Sequence, residues 1–210
     1  MEKLDFKKLY KDLFAAKVNK VTEVTVPKLP FLSVDGAGDP NGAEFAAAVG
    51  ALYGLSYSLK FWSKKHELPA GWQEFSVAPL EGLWWVAGSD AGPMSMDAPR
   101  GQWRWRAMIM QPEFVTADLV DAARAEAAKK KPEFAEALER VMLDTFEEGR
   151  SVQIMHVGPY TDEMPNVMKL TDYMAEHGLV SNGLHHEIYL GDPKRMAPDK
   201  LKTILRHPVK

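Results

Sequence analysis

One order of elements occurs twice in this sequence and leaves few folds open to it. Val21–Val26 and Phe31–Asp35 are rich in strand formers, and Gly36, Gly38, Asp39 and Pro40 then turn the chain into a helix from about Asn41 to Lys64. Asn41, with Glu44 three residues on, predicts a capping box at the start of that helix. Its apolar residues fall in two stripes, Phe45-Val49-Leu52-Ser56-Leu59 and Tyr53-Tyr57-Phe61, which predict two packing surfaces. Strands follow at Glu74–Val86 and Trp103–Met110, with a Gly/Asp/Pro/Met loop from Gly88 to Gly101 between them. After an alanine- and charge-rich stretch over 116–149, broken near Lys131-Pro132, the order returns. A strand at Val152–Val157 leads to the turn Gly158-Pro159-Tyr160, a helix at about Thr161–Glu176, a strand at Leu184–Leu190 and a last strand at Thr203–Pro208. The halves share pattern rather than residues. The expectation is an α+β chain of two βαββ halves, about 21–115 and 150–210, joined by a helical connector at 116–149. Their two sheets would face or abut each other around a ligand cleft at the junction.

Residues 1–20 precede this repeat. Phe6, Leu9, Tyr10, Leu13 and Phe14 recur at helical spacing and predict a short amphipathic helix docked on the body or on a partner. The segment has neither the apolar run nor the cleavage site of a secretory signal, and every apolar run in the chain is too short for a membrane span. A cytoplasmic protein with no membrane partner is expected. Zero cysteines exclude disulfides, thiolate catalysis and thiolate metal sites. Twenty-six Lys and Arg against 29 Asp and Glu give −3, which offers nucleic acid no overall attraction, so no nucleic-acid partner is expected.

Several stretches look chemical and are better explained otherwise. Gly36-Ala37-Gly38 before a helix resembles a phosphate loop, but Asp39 places a negative charge, and Pro40 removes an N–H, where phosphate would sit. Lys129-Lys130-Lys131 suits the C-terminal end of a helix dipole. His185-His186-Glu187 lies on a strand, where neighbours point to opposite faces, so it supplies at most two ligands in one direction; no metal and no cofactor are expected. What remains is a mid-strand carboxylate. Leu184, His186, Ile188 and Leu190 can pack under a helix, while His185, Glu187 and Tyr189 face the other way. All six tryptophans lie between Trp62 and Trp105; Trp103 and Trp105 share one strand face, and Trp84 and Trp85 sit on a neighbouring strand. If these faces and the Glu187 face line one cleft, a glutamate among rings would favour cationic or proton-accepting guests and could serve as a base toward water. The other reading of that face is solvent.

The segments Pro30–Pro40, Ala51–Tyr57, Pro79–Trp85, Trp103-Arg104-Trp105 with Gln111-Pro112, Gln153–Tyr160 and His185–Leu190 with Asp192-Pro193, in that order, resemble the stand-alone GyrI-like small-molecule-binding proteins. The resemblance spans nearly the whole chain. It implies a double SHS2-like fold of the GyrI/Rob effector-domain kind, with an aromatic pocket between two halves of a single domain over 21–210 and an acidic residue at its centre. One subfamily of such proteins, the cyclopropanoid cyclopropyl hydrolases, opens the three-membered ring of DNA-alkylating compounds. Carried over residue by residue, the resemblance makes Glu187 the pocket glutamate and Trp103 and Trp105 the W-x-W strand. Tyr53, Tyr57, Tyr160, Tyr189, His185 and one of Trp84 and Trp85 become further ligand-binding candidates. No DNA-binding region of the kind found in transcription factors that use this fold as an effector domain is expected on this chain, nor is transcriptional control by it alone. The implied function is xenobiotic binding in an aromatic cage, followed by hydrolysis of cyclopropanoid alkylators. The alternatives are a non-catalytic drug-binding or sequestering protein and a gyrase-inhibitor-like interaction module. The expected partner is a lipophilic aromatic or cationic small molecule.

Overall fold

The computed structural model describes residues 3–89 and 98–210. In chain order the elements are α1 (Phe6–Leu9), α2 (Lys11–Phe14), β1 (Thr22–Ala37), α3 (Ala43–Lys60), β2 (Leu80–Val86), β3 (Trp103–Met110), α4 (Ala117–Lys130), α5 (Ala135–Glu139), β4 (Met142–Val157), α6 (Met164–Glu176), β5 (His185–Tyr189) and β6 (Lys202–Pro208). The fold is α+β, and the order β1-α3-β2-β3 recurs as β4-α6-β5-β6. Residues 90–97, the middle of the Gly88–Gly101 loop expected from the sequence, lie outside the described residues.

Rather than two abutting sheets, the six strands form one closed antiparallel barrel in the order β1-β3-β2-β5-β6-β4. The halves are joined along two seams. β1 pairs with β4 from Thr22↔Gln153 to Ser33↔Met142, and β2 pairs with β5 from Leu80↔Tyr189 to Trp84↔His185. Closure gives every strand two partners, although β1 before Phe31 and β4 before Ser151 are paired with each other alone.

Four elements differ from the sequence expectation, each for a local reason. β1 is one strand running through Pro27 and Pro30, because residues before Phe31 pair only with β4 and leave one flank without a ladder to break. β4 begins at Met142, inside the stretch 116–149 expected to be connector; the connecting helices α4 and α5 end at Glu139. The capping box does not form, since the Asp39 carboxylate accepts from both the backbone N–H and the side-chain amide of Asn41. Gly42 becomes the N-cap, and the far end of α3 tightens into a 3-10 turn at Trp62–Lys64. The N-terminal segment is two single-turn helices, not one helix, with the chain bending at Tyr10.

α3 packs on the outer face of β1 and β3, and α6 on that of β4 and β6. Ala48, Ala51, Leu52, Leu55, Ser56, Ser58 and Leu59 are the buried positions of α3. Val167, Leu170 and Met174 of α6 meet Val152, Ile154 and Leu205. The Tyr57 and Phe61 end of the aromatic stripe is not a packed surface: both rings are over 40% exposed, with the Lys60 ammonium over each.

The barrel interior holds a cavity of about 10 Å³ lined by side chains from all six strands and by Leu13 and Phe14 of α2. Glu81, Glu148, His186 and Arg206 meet there, all buried. His186 Nδ1 lies 3.0 Å from Glu148 Oε2, and its Nε2 3.0 Å from Glu81 Oε2. Arg206 donates to Glu148, to Gln153 and to the Leu13 carbonyl. Glu148 and Gln153 are five residues apart and would face opposite ways on a regular strand; Gly149 between them, at φ 74°, resets the alternation. His186 and Ile188 therefore point into the barrel, not under a helix as the alternation of β5 suggested.

Candidate functional site

β2 and β5 form the seam that lies between the strands covered by α3 and those covered by α6. The seam belongs to both halves. Trp84, Gly82 and Leu80 of β2 stand opposite His185, Glu187 and Tyr189 of β5. Strand alternation gives these residues one outward face, and the cross-strand partner of Glu187 is a glycine. That glycine makes room. A Cβ on Gly82 would fall 2.8 Å from Trp84 Nε1 and 3.2 Å from the Tyr189 hydroxyl, so the indole and the phenol lie directly over the backbone there. Trp84 Nε1 donates to the Tyr189 hydroxyl at 3.0 Å. His185 Nε2 is 3.5 Å from Glu187 Oε1, and the Glu187 side chain keeps 12% of its surface in contact with solvent.

Tyr160, in the turn before α6, packs edge-on against Tyr189 with centroids 5.6 Å apart. Glu163, the residue preceding α6, is buried, and its Oε1 has no hydrogen-bond partner. Burial, and then the neighbouring Glu187 charge, push the Glu163 carboxyl up to about 10. The shift favours its neutral, protonated form. The Tyr160 phenol rises to about 12, mainly by burial and then through the Glu163 and Glu187 charges. Tyr189 is also raised, by burial first and then by the same two carboxyls. The Tyr53 phenol on α3 is also raised, by burial and then by Tyr57. On the far side of His185, burial and the His185 ring hold His207 down at about 4, with Ser181 Oγ 2.8 Å from its Nε2.

The structure thus gathers Glu187, His185, Tyr189, Tyr160 and Trp84 at one seam. The other expected residues stand at varying removes. Among the described residues, Trp103 meets the group through Trp84, with centroids 6.1 Å apart, and is held by a bond to the Ala98 carbonyl and by the Arg100 guanidinium over its ring. Trp105 is fully buried, wedged against Phe45 and over Gly36, where an added Cβ would fall 2.2 Å from the indole. As positioned, it presents no surface to a guest; it is a core residue supporting Trp84 through Phe45. Trp85 lies on the opposite face of β2 from Trp84, paired with Arg104. Tyr53 reaches the edge of the seam, where its phenol accepts from the backbone of Leu80, the residue opposite Tyr189, and acts on Tyr160; Tyr57, stacked on it at 6.3 Å, is 44% exposed. Sequence reasoning missed Glu163 and Gly82. Glu163 carries no motif, and its only signal is a carboxylate three residues after Tyr160 in a turn; Gly82 gains meaning only once the register of β2 and β5 is known.

A seam of this kind can hold an aromatic guest against Trp84, Tyr160 and Tyr189 and present it to one carboxylate and one carboxylic acid. Residues 110–210 match the family model of the GyrI-like small molecule binding domain. The whole fold is shared with a Listeria innocua protein described as an uncharacterized conserved protein, 42% identical with a TM-score of 0.89, over 99% of this chain and 100% of that one. It is equally shared with a Listeria innocua protein described as a hydrolase, 40% identical with a TM-score of 0.89 and full coverage of both chains. The C-terminal domain of EcmrR, at 9% identity and a TM-score of 0.52 over 91% of this chain and 97% of that one, has the same fold. No curated protein matches the sequence.

Proposed function

The chain belongs to one family with the two Listeria innocua proteins, and its residues 110–210 match the GyrI-like small molecule binding domain; on that premise we propose that it binds lipophilic aromatic or cationic xenobiotics at the β2–β5 seam and hydrolyses cyclopropanoid alkylating compounds there. The observation that carries the reading is the placement of Glu187. It stands opposite Gly82 and beside the bonded Trp84–Tyr189 pair, mostly but not wholly removed from solvent. The rings orient a flat guest and stabilise positive charge developing at the ring carbon, while Glu187 takes a proton from the attacking water. A strained three-membered ring supplies much of the driving force. The description of one relative as a hydrolase supports this reading.

The test is to incubate the protein with a cyclopropane-bearing alkylator and follow ring-opened product. Wild type should exceed the uncatalysed rate, and Glu187→Gln should bind while losing about 10²–10⁴-fold in turnover. Product at the background rate with intact binding favours the second reading, a sequestering protein, which the family's description as a binding domain supports. Binding itself is read by thermal shift: a ligand at about a hundred times its dissociation constant adds ~2.7 kcal/mol of stability. No shift across a panel of aromatic cations and neutral dienones sinks both readings.

A further inference from the structure

Resting on that reading of the seam, we propose that Glu163 is the second working carboxyl of the site, a proton donor to a carbonyl acceptor on the guest and the partner of Glu187 in ring opening. Three features of the structure carry this. Glu163 is 4% exposed, its Oε1 is buried without a hydrogen-bond partner, and no side-chain cap bond ties it to the start of α6. A buried polar atom left unmatched costs free energy unless something else meets it. The charge that faces it is Glu187 on β5; Thr203 on β6 lies beside it, and Tyr160 and Tyr189 share the carboxylate environment. His156 of β4 is already engaged at both ring nitrogens, by the Pro159 carbonyl and Asn166. Burial and the Glu187 charge both favour the protonated form of Glu163, the form that can donate a proton.

The guest this pair suits is a neutral molecule whose strained ring is conjugated to a carbonyl. The attacking water forms a new C–O bond to the ring methylene as the ring C–C bond breaks. The released electron pair moves through the conjugation to the carbonyl oxygen, which takes the proton of Glu163. Glu187 takes one proton of the water. The product leaves as an alcohol and an enol or phenol, and a proton passes from Glu187 back to Glu163 to restore the starting state. No redox partner is needed.

The experiment compares wild type, Glu163→Gln and Glu163→Asp with a spiro-cyclopropyl cyclohexadienone as the probe. Loss of the dienone absorbance reads turnover, quenching of tryptophan fluorescence reads binding, and the infrared carbonyl stretch of a protonated carboxylic acid reads the proton. Glu163→Gln should keep affinity within about threefold, lose about 10²-fold or more in kcat, and lose the acid band at neutral pH. Glu163→Asp, which keeps an ionisable acid, should restore kcat at least about tenfold over Glu163→Gln and keep the band. A Glu163→Gln protein with wild-type kcat, or a wild-type spectrum with no band that this substitution removes, overturns the proposal. If wild type binds the dienone without opening it, the hydrolase reading fails instead; the band and its loss then still decide whether Glu163 holds the proton.

Discussion

At the level of single residues, the seam depends on the absence of a side chain. Gly82 lets Trp84 and Tyr189 close over the backbone opposite Glu187, and any Cβ there must push the indole nitrogen from 2.8 Å. Gly82→Ala is therefore expected to break the Trp84–Tyr189 bond, cost about 1–3 kcal/mol by overpacking, and weaken guest binding more than Gly54→Ala, where an added Cβ meets nothing within 4 Å. Urea midpoints and fluorescence titrations of the two variants check this. The face of Glu187, His185 and Tyr189 was legible in the sequence because a period of two needs only the strand itself. The choice between Trp84 and Trp85 was not, because neighbours on a strand are equivalent until register is fixed. The burial of Trp105 was equally hidden: W-x-W places two indoles on one face, but only the helix above decides that Phe45 seals one of them. Glu163 reads in sequence as an acid placed for the helix dipole, and its isolation emerges only when β5 and β6 are brought beside it.

At the level of elements, the strands of ordinary length and alternation were legible. β3 has the expected bounds, and β5 and β6 lie within one residue of theirs. The two 16-residue strands were not, because each carries composition that argues against a strand: prolines in β1, and Asp144, Glu147, Glu148 and Gly149 in β4. Both are tolerated where one flank of the strand lacks a ladder partner, since β1 meets β3 only from Phe31 and β4 meets β6 only from Ser151. The N-terminal turns are likewise shaped by what they cover. Arg206 bonds the Leu13 carbonyl and Gln153 the Asp12 carbonyl, fixing α2 over the barrel mouth with the Leu13 side chain against the interior cavity. Leu13→Ala should cost about 2–5 kcal/mol, as removal of a buried leucine does, while Leu9→Ala, 59% exposed one turn earlier, should stay within about 0.5 kcal/mol. Equal midpoints for the two variants in urea would mean that α2 is not part of the cooperative fold.

At the level of the whole molecule, the buried titrating groups lie on two sides of one barrel wall and together set how stability varies with pH. Burial alone would raise Glu148, but the charges of His186 and Arg206 hold it at about 2, below the ordinary 4.5; its contribution is present above 4.5 and lost as pH falls toward 2. His207, held at about 4 against 6.5, likewise loses stability as pH falls from 6.5 to 4. Burial would lower His186, yet Glu148 and Glu81 raise it to about 9, so its contribution is complete below 6.5 and lost as pH rises through 9. Glu163, raised from 4.5 to about 10, contributes in the same sense, because the unfolded chain ionises first. Between 4.5 and 6.5 the His207 and Glu163 slopes oppose each other; above that window His186 and Glu163 both destabilise, and below it Glu148 and His207 both do. The exposed carboxylates of Glu23, Asp39 and Glu126, lowered by bonds from Arg150, the Asn41 backbone and His66, add little to the acid side because solvent screens them. Maximum stability is therefore expected on the acid side of neutrality, between pH 4.5 and 6.5, with an alkaline loss to which His186 and Glu163 both contribute. Urea unfolding across pH measures the curve, and Glu163→Gln separates its sources. An amide cannot titrate, so this variant should follow wild type below pH 4.5 and lie above it at alkaline pH, leaving only the His186 slope. A variant curve that tracks wild type to about pH 9 would place the whole alkaline loss inside the barrel and none of it at the seam.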